Sequence, residues 1–74
     1  MIWAMDAVRV RFGRRVRVLR KQRGLSQEAL SFEAGLDRSY VGQVERGERN
    51  ISIDNMAKFA RALKVKLSVL LEDV

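Results

Sequence analysis

The chain has 74 residues, 15 Lys or Arg against 9 Asp or Glu, a formal net charge of +6, and no Cys, His or Pro. That length suits one small domain, which buries only about 60% of the surface its unfolded form exposes. The missing Cys and His remove thiol and imidazole nucleophiles, the commonest general base and every ordinary zinc site.

With 47% hydrophobic and 32% charged residues the chain is expected to fold, to act without a cofactor or metal, and not to be an enzyme. No apolar run approaches the ~18 residues of a membrane span, and Met1 to Met5 is too short for a signal-peptide core of about 7 residues. A cytoplasmic location is therefore expected. The positive charge asks for an anionic partner, either nucleic acid or a membrane surface.

Gly24, Gly35 and Gly47 each follow a stretch with helical apolar spacing and mark helix ends. The first helix is predicted over about 7–23, with Asp6 as N-cap and Val8, Phe12, Val16 and Leu19 as its apolar stripe. Gly13 falls inside it at a cost of about 1 kcal/mol. One pattern then recurs three times: an apolar residue, Ser or Asp, and a second apolar residue four positions after the cap. Leu25-Ser26 with Leu30, Leu36-Asp37 with Val41, and Ile51-Ser52 with Met56 read as hydrophobic staples. They predict helices over about 27–34, 38–46 and 53–63. A last short helix is predicted over about 67–71, with Lys66 as a poor cap. The fold class is all-α, with five helices in one domain over 1–74.

Two short helices joined at Gly35-Leu36-Asp37 have helix-turn-helix geometry. Leu30, Ala34, Leu36, Val41 and Val44 fall on the inward faces. Arg38, Ser39, Tyr40, Gly42 and Gln43 fall on the opposite side of the second helix, which makes it the reader. The segment LSQEALSFEAGLDRSYVGQVERGERN, Leu25 to Asn50, resembles the helix-turn-helix of Cro and lambda-repressor-type DNA-binding proteins. With its flanking helices the likeness runs from about Val8 to Leu71. Within that family, Asp37 to Val41 and Glu45 to Gly47 look most similar to controller proteins of restriction-modification systems. Three positions depart from the family pattern: Ser31 stands where Ala is common, Ile51 where Pro often follows the Asn, and Lys66 at the last cap.

The resemblance implies a homodimeric transcriptional regulator that binds double-stranded DNA at a pseudo-palindromic operator, with RNA polymerase as a further candidate partner. It implies base reading by Arg38, Ser39 and Gln43, for which Arg suits guanine, Gln suits adenine, and Ser serves as donor or acceptor. Gln27 would hold a phosphate from the start of its helix. Tyr40, Arg46, Arg49, Asn50 and Arg17 are the other backbone candidates, with Arg14 behind them. Purely structural roles compete: Arg46 as a helix end, Arg49 paired with Glu45 in solvent, Tyr40 packed on the first helix. The apolar residues Val65, Leu67, Val69, Leu70 and Leu71 exceed what one short helix buries, so a dimer interface is expected there, with Ile2 and Trp3 joining it.

Rival readings remain open. Eight of the 15 basic residues lie between Arg9 and Arg23 without an acid among them, as in a basic amphipathic helix on an anionic membrane. Against it, so small a domain needs that apolar stripe for its core, and no membrane partner is expected. An antitoxin or phage-type repressor of the same fold differs by its protein partner. An RNA-binding module lacks a grouped aromatic platform, since Phe12, Phe32 and Phe59 are scattered.

Overall fold

The computed structural model describes residues 5–74. Five helices follow one another: α1 (Met5–Gln22), α2 (Gln27–Ala34), α3 (Arg38–Glu45), α4 (Ile53–Leu63) and α5 (Leu67–Leu70), and no strand occurs among the described residues. Each of the three staples becomes a helix start. Ser26, Asp37 and Ser52 are extended, and their side-chain oxygens accept from the N–H of Ala29 at 3.0 Å, Ser39 at 2.8 Å and Asn55 at 3.1 Å. Lys66 makes no such bond, in keeping with its poor capping chemistry.

The first helix corrects the expected cap. α1 already includes Met5, so Asp6 lies within the helix and is not its N-cap. At their far ends α1, α3 and α5 each stop one residue short of expectation, at Gln22, Glu45 and Leu70. Gly35 turns the chain between α2 and α3 at φ 69°, which lets the N–H of Leu36 reach back to the carbonyl of Ser31 at 2.9 Å. Lys64 plays the same left-handed part after α4 at φ 59°, where the sequence offers no glycine.

The core gathers Phe12, Val16 and Leu19 from α1, Leu30 and Ala34 from α2, and Val41 and Val44 from α3. Phe59, Ala60, Ala62 and Leu63 of α4 and Leu70 of α5 complete it. Phe12 and Phe59 meet edge to face with ring centres 6.4 Å apart. The stripe of α1 is thus spent inside the domain, which leaves the membrane reading without its apolar face. Among the described residues no helix is long and apolar enough to cross a membrane.

Gly13 is more than a helix-weakening residue. A Cβ there would stand 2.3 Å from the carbonyl oxygen of Val44 and 2.6 Å from that of Glu45, so its absence lets α1 lie directly on the end of α3. Ser31 fits because its hydroxyl, buried against the core, donates to the carbonyl of Glu28 at 2.7 Å.

α5 is held from the side. Arg15 of α1 donates through Nε and Nη2 to the carbonyl of Val69 at 3.1 and 2.9 Å, and lies 3.6 Å from Glu72. This docking changes the expected dimer surface. Leu70 is 0% exposed in the chain's own core, so it has nothing to offer a partner. Val65 and Leu67 pack partly against the same core, Val69 is half-buried, and Leu71 stays 36% exposed. Ile2 and Trp3 lie outside the described residues.

Candidate nucleic-acid interface

α3 turns Val41, Val44 and Glu45 inward, and Gly42 is buried with them. Arg38, Gly42 and Arg46 follow at four-residue spacing, as do Ser39 and Gln43, so two adjacent rows run along the outer side. Arg38 stands at the first helical position, exposed, with no protein partner among the described residues. Ser39 is less free. Its hydroxyl donates to Asp37 Oδ1 at 2.6 Å while its N–H donates to the same atom, so outward it offers only lone pairs. The Asp37 carboxyl is held below the usual carboxylate range, first by that hydroxyl and next by that N–H.

A buried ion pair underlies this face. Arg20 and Glu45, 8% and 9% exposed, meet two-pronged, Nε to Oε2 at 2.6 Å and Nη2 to Oε1 at 2.9 Å. Arg20 Nη1 also donates to the carbonyl of Leu25 at 2.9 Å. The Glu45 hydrogen bond first, and its charge after the opposing cost of burial, raises the Arg20 pKa. This corrects two expectations: Arg20 is not part of the exposed basic face of an amphipathic helix, and Glu45 is no solvent partner of Arg49. Arg20 and Glu45 stand four positions after the core residues Val16 and Val41, on the same helix faces, and that spacing was the sequence signal for the pair.

Gln27 opens α2 and leans on the pair, its Nε2 donating to Glu45 Oε1 at 3.0 Å. The crossing passes over Gly42. A Cβ at Gly42 would lie 3.6 Å from Gln27 Oε1 and 3.3 Å from Arg46 Nη1, so both side chains converge over the bare backbone of α3. Arg46 is also two-pronged on Glu48, at 3.0 and 3.2 Å, and its bond lowers the Glu48 pKa. A pair this exposed exchanges readily for a phosphate.

On the other row, Gln43 Oε1 accepts from Arg49 Nη1 at 3.0 Å. The Arg49 guanidinium carbon lies 5.0 Å from the centre of the Tyr40 ring, and the Tyr40 hydroxyl accepts from Asn55 Nδ2 of α4 at 3.1 Å. Tyr40 therefore braces α4 and carries Arg49 while its side chain packs partly against the core, so its role is more than packing. Asn50 is exposed beyond this cluster, and Arg17 and Arg14 are exposed on α1. Arg14 lines an open hollow with Arg11, Arg15, Val18, Glu72 and Asp73, apart from the residues of α2 and α3.

A helix-turn-helix family model matches residues 16–70 of this chain. The chain belongs to the helix-turn-helix family. Its match takes in α2 and α3 whole, together with the end of α1 and all of α4 and α5, so the pair of helices that carries this face lies inside it. The chain is 44% identical over 66 residues to the control protein C.BamHI of Bacillus amyloliquefaciens, covering 88% of this chain and 82% of that one. It superposes on the restriction-modification controller protein C.AhdI of Aeromonas hydrophila with a TM-score of 0.85 at 56% identity, covering 86% and 97% of the two chains. The controller C.Esp1396I bound to a 25 base pair operator site superposes with a TM-score of 0.81 at 28% identity, covering 88% and 86%. The helix-turn-helix therefore sits in a chain of nearly the length of those relatives.

Proposed function

We propose that the protein is a sequence-specific DNA-binding regulator, the controller of a restriction-modification operon, acting as a homodimer on a pseudo-palindromic operator. The observation that carries this reading is Arg38. It stands at the first position of α3, exposed and with no partner among the described residues, while Ser39 and Gln43 on the same helix are bonded in place. A long donor-rich side chain so placed suits the N7 and O6 edge of guanine. The likeness to C.BamHI and C.AhdI supports the controller role, and the operator-bound C.Esp1396I supports DNA as the ligand.

In this reading Arg38, Ser39 and Gln43 meet bases, and Ser39 does so as an acceptor. Gln27 and Arg46 grip one phosphate stretch beside Gly42, with Tyr40, Arg49, Asn50 and Arg17 around them. Val65, Leu67, Val69 and Leu71 form the dimer contact. A pseudo-palindromic operator requires the two copies to set equivalent helices about one DNA turn, roughly 34 Å, apart. RNA polymerase is the further partner that a regulator beside a promoter meets, and Phe32, 87% exposed on α2, offers an apolar contact.

The test is binding to an operator selected from random duplexes and to an unrelated duplex. Arg38→Ala is expected to cost about 1–3 kcal/mol per half-site and to relax one base position, with non-specific binding little changed. Gln27→Ala is expected to weaken both duplexes alike, because a phosphate contact carries no base information. Parallel losses for Arg38→Ala, with the fold intact by circular dichroism, would refute base reading by α3.

A further inference from the structure

Gln43 has two ways of reading a base. A carboxamide matches adenine with Oε1 on N6 and Nε2 on N7, or meets an acceptor-rich edge through Nε2 alone. Which it does depends on the atom its own protein engages. Arg49 Nη1 donates to that side chain at 3.0 Å. A guanidinium carries donors and no acceptor, so the atom that meets it is the carbonyl oxygen and not the amide nitrogen. Among the described residues no protein acceptor meets Nε2.

Arg49 is itself held. It lies over the Tyr40 ring at 5.0 Å, and the Tyr40 hydroxyl is fixed by Asn55, whose backbone N–H caps onto Ser52 at 3.1 Å. A chain of contacts thus runs from the start of α4 through Asn55, Tyr40 and Arg49 to the outer row of α3.

We propose that Arg49 is a positioning residue that sets the specificity of Gln43. With Oε1 engaged by a cation, Gln43 presents Nε2 as a donor and selects guanine, whose major-groove edge offers the N7 and O6 acceptors. Adenine is disfavoured, because its N6 amino group would have to share the carbonyl oxygen with the Arg49 cation, which already takes one of that oxygen's two lone pairs. This rests on the reading of α3 as the base-contacting helix, and it reverses the adenine preference that glutamine alone implies.

The experiment is selection from random duplexes with the full chain, followed by affinities for single-base operator variants. Gln43→Ala locates the position, as the one where preference flattens. There the wild type is expected to favour guanine over adenine by about tenfold. Arg49→Ala is expected to bring that ratio to parity or below, with the Arg38 position unchanged. Tyr40→Phe keeps the ring under Arg49 and is expected to keep guanine. A wild-type preference for adenine at that position overturns the proposal. So does an Arg49→Ala variant that weakens all duplexes equally while holding the guanine ratio, which makes Arg49 a phosphate contact. If Gln43→Ala flattens no position while Arg38→Ala flattens one, α3 reads DNA without Gln43 and this proposal alone falls. If neither flattens any, the base-reading role of α3 falls with it.

Discussion

Removing the Glu45 carboxylate is expected to leave the buried Arg20 guanidinium short of its partner. Arg20 makes three hydrogen bonds, two to Glu45 and one to the carbonyl of Leu25. In Glu45→Ala the guanidinium keeps one acceptor and, at 8% exposure, has little access to water in exchange. Breaking one side of a buried pair costs about 3–5 kcal/mol. A domain of 74 residues has a total stability of roughly 4–11 kcal/mol, so the loss takes about a quarter or more of it. At about 4–8 °C per kcal/mol the midpoint is expected to fall by ~12 °C or more. The double change Arg20→Met with Glu45→Leu removes both charges and is expected to be near neutral, since neither is left unpaired. Urea and thermal unfolding followed by circular dichroism would measure both, at one fixed protein concentration because a dimer's midpoint depends on it. A Glu45→Ala cost below about 1 kcal/mol, as for a surface pair, would refute the burial argument. A double variant as unstable as the single would refute the charge argument.

Gly13→Ala removes a poor helix former, yet it is expected to destabilise by about 1–3 kcal/mol, because the new methyl meets backbone carbonyls of α3; a gain in urea midpoint would contradict the close approach. Asp37 has a folded pKa below its unfolded one, so its contribution is fully present above about pH 4 and is lost as pH falls through the lower folded value. Carbon-detected titration of the carboxyl is expected to show that low value moving back up in Ser39→Ala, which removes the largest cause, and an unmoved titration would contradict it. Sedimentation is expected to show dimers at tens of micromolar and monomers for Leu71→Glu, and a wild type that stays monomeric would refute the dimer.

Helix starts were legible because a cap and its staple are local: Ser26 with Leu30, Asp37 with Val41 and Ser52 with Met56 each need only five or six consecutive residues. The α1 to α3 contact was not, because Gly13 and Val44 are far apart in sequence and a glycine inside a helix looks like a defect until its neighbour is known. Arg20 hid among eight basic residues for the same reason, although its place four positions after Val16 put it on the face of the apolar stripe. Arg49 and Gln43 lie on either side of the turn at Gly47, and only the path of that turn decides whether Arg49 folds back onto α3.

The outer face of α3 divides its side chains by freedom as well as by chemistry. Gln27 leans on Glu45, Ser39 on Asp37, and Gln43 on Arg49, so each of these reaches a ligand with its rotamer already chosen. Ordering them on binding therefore costs little of the roughly 0.5–1.5 kcal/mol that immobilising a flexible side chain requires. Arg38 has no such support among the described residues and, as the proposed base reader, would bear that cost in full. A phosphate contact by Gln27 would be available on any duplex that fits the face, whereas ordering Arg38 would be offset only where a matched base accepts both its bonds. Discrimination is for that reason expected to concentrate at the start of α3, with Gln43 adding a second, protein-oriented check one turn further on.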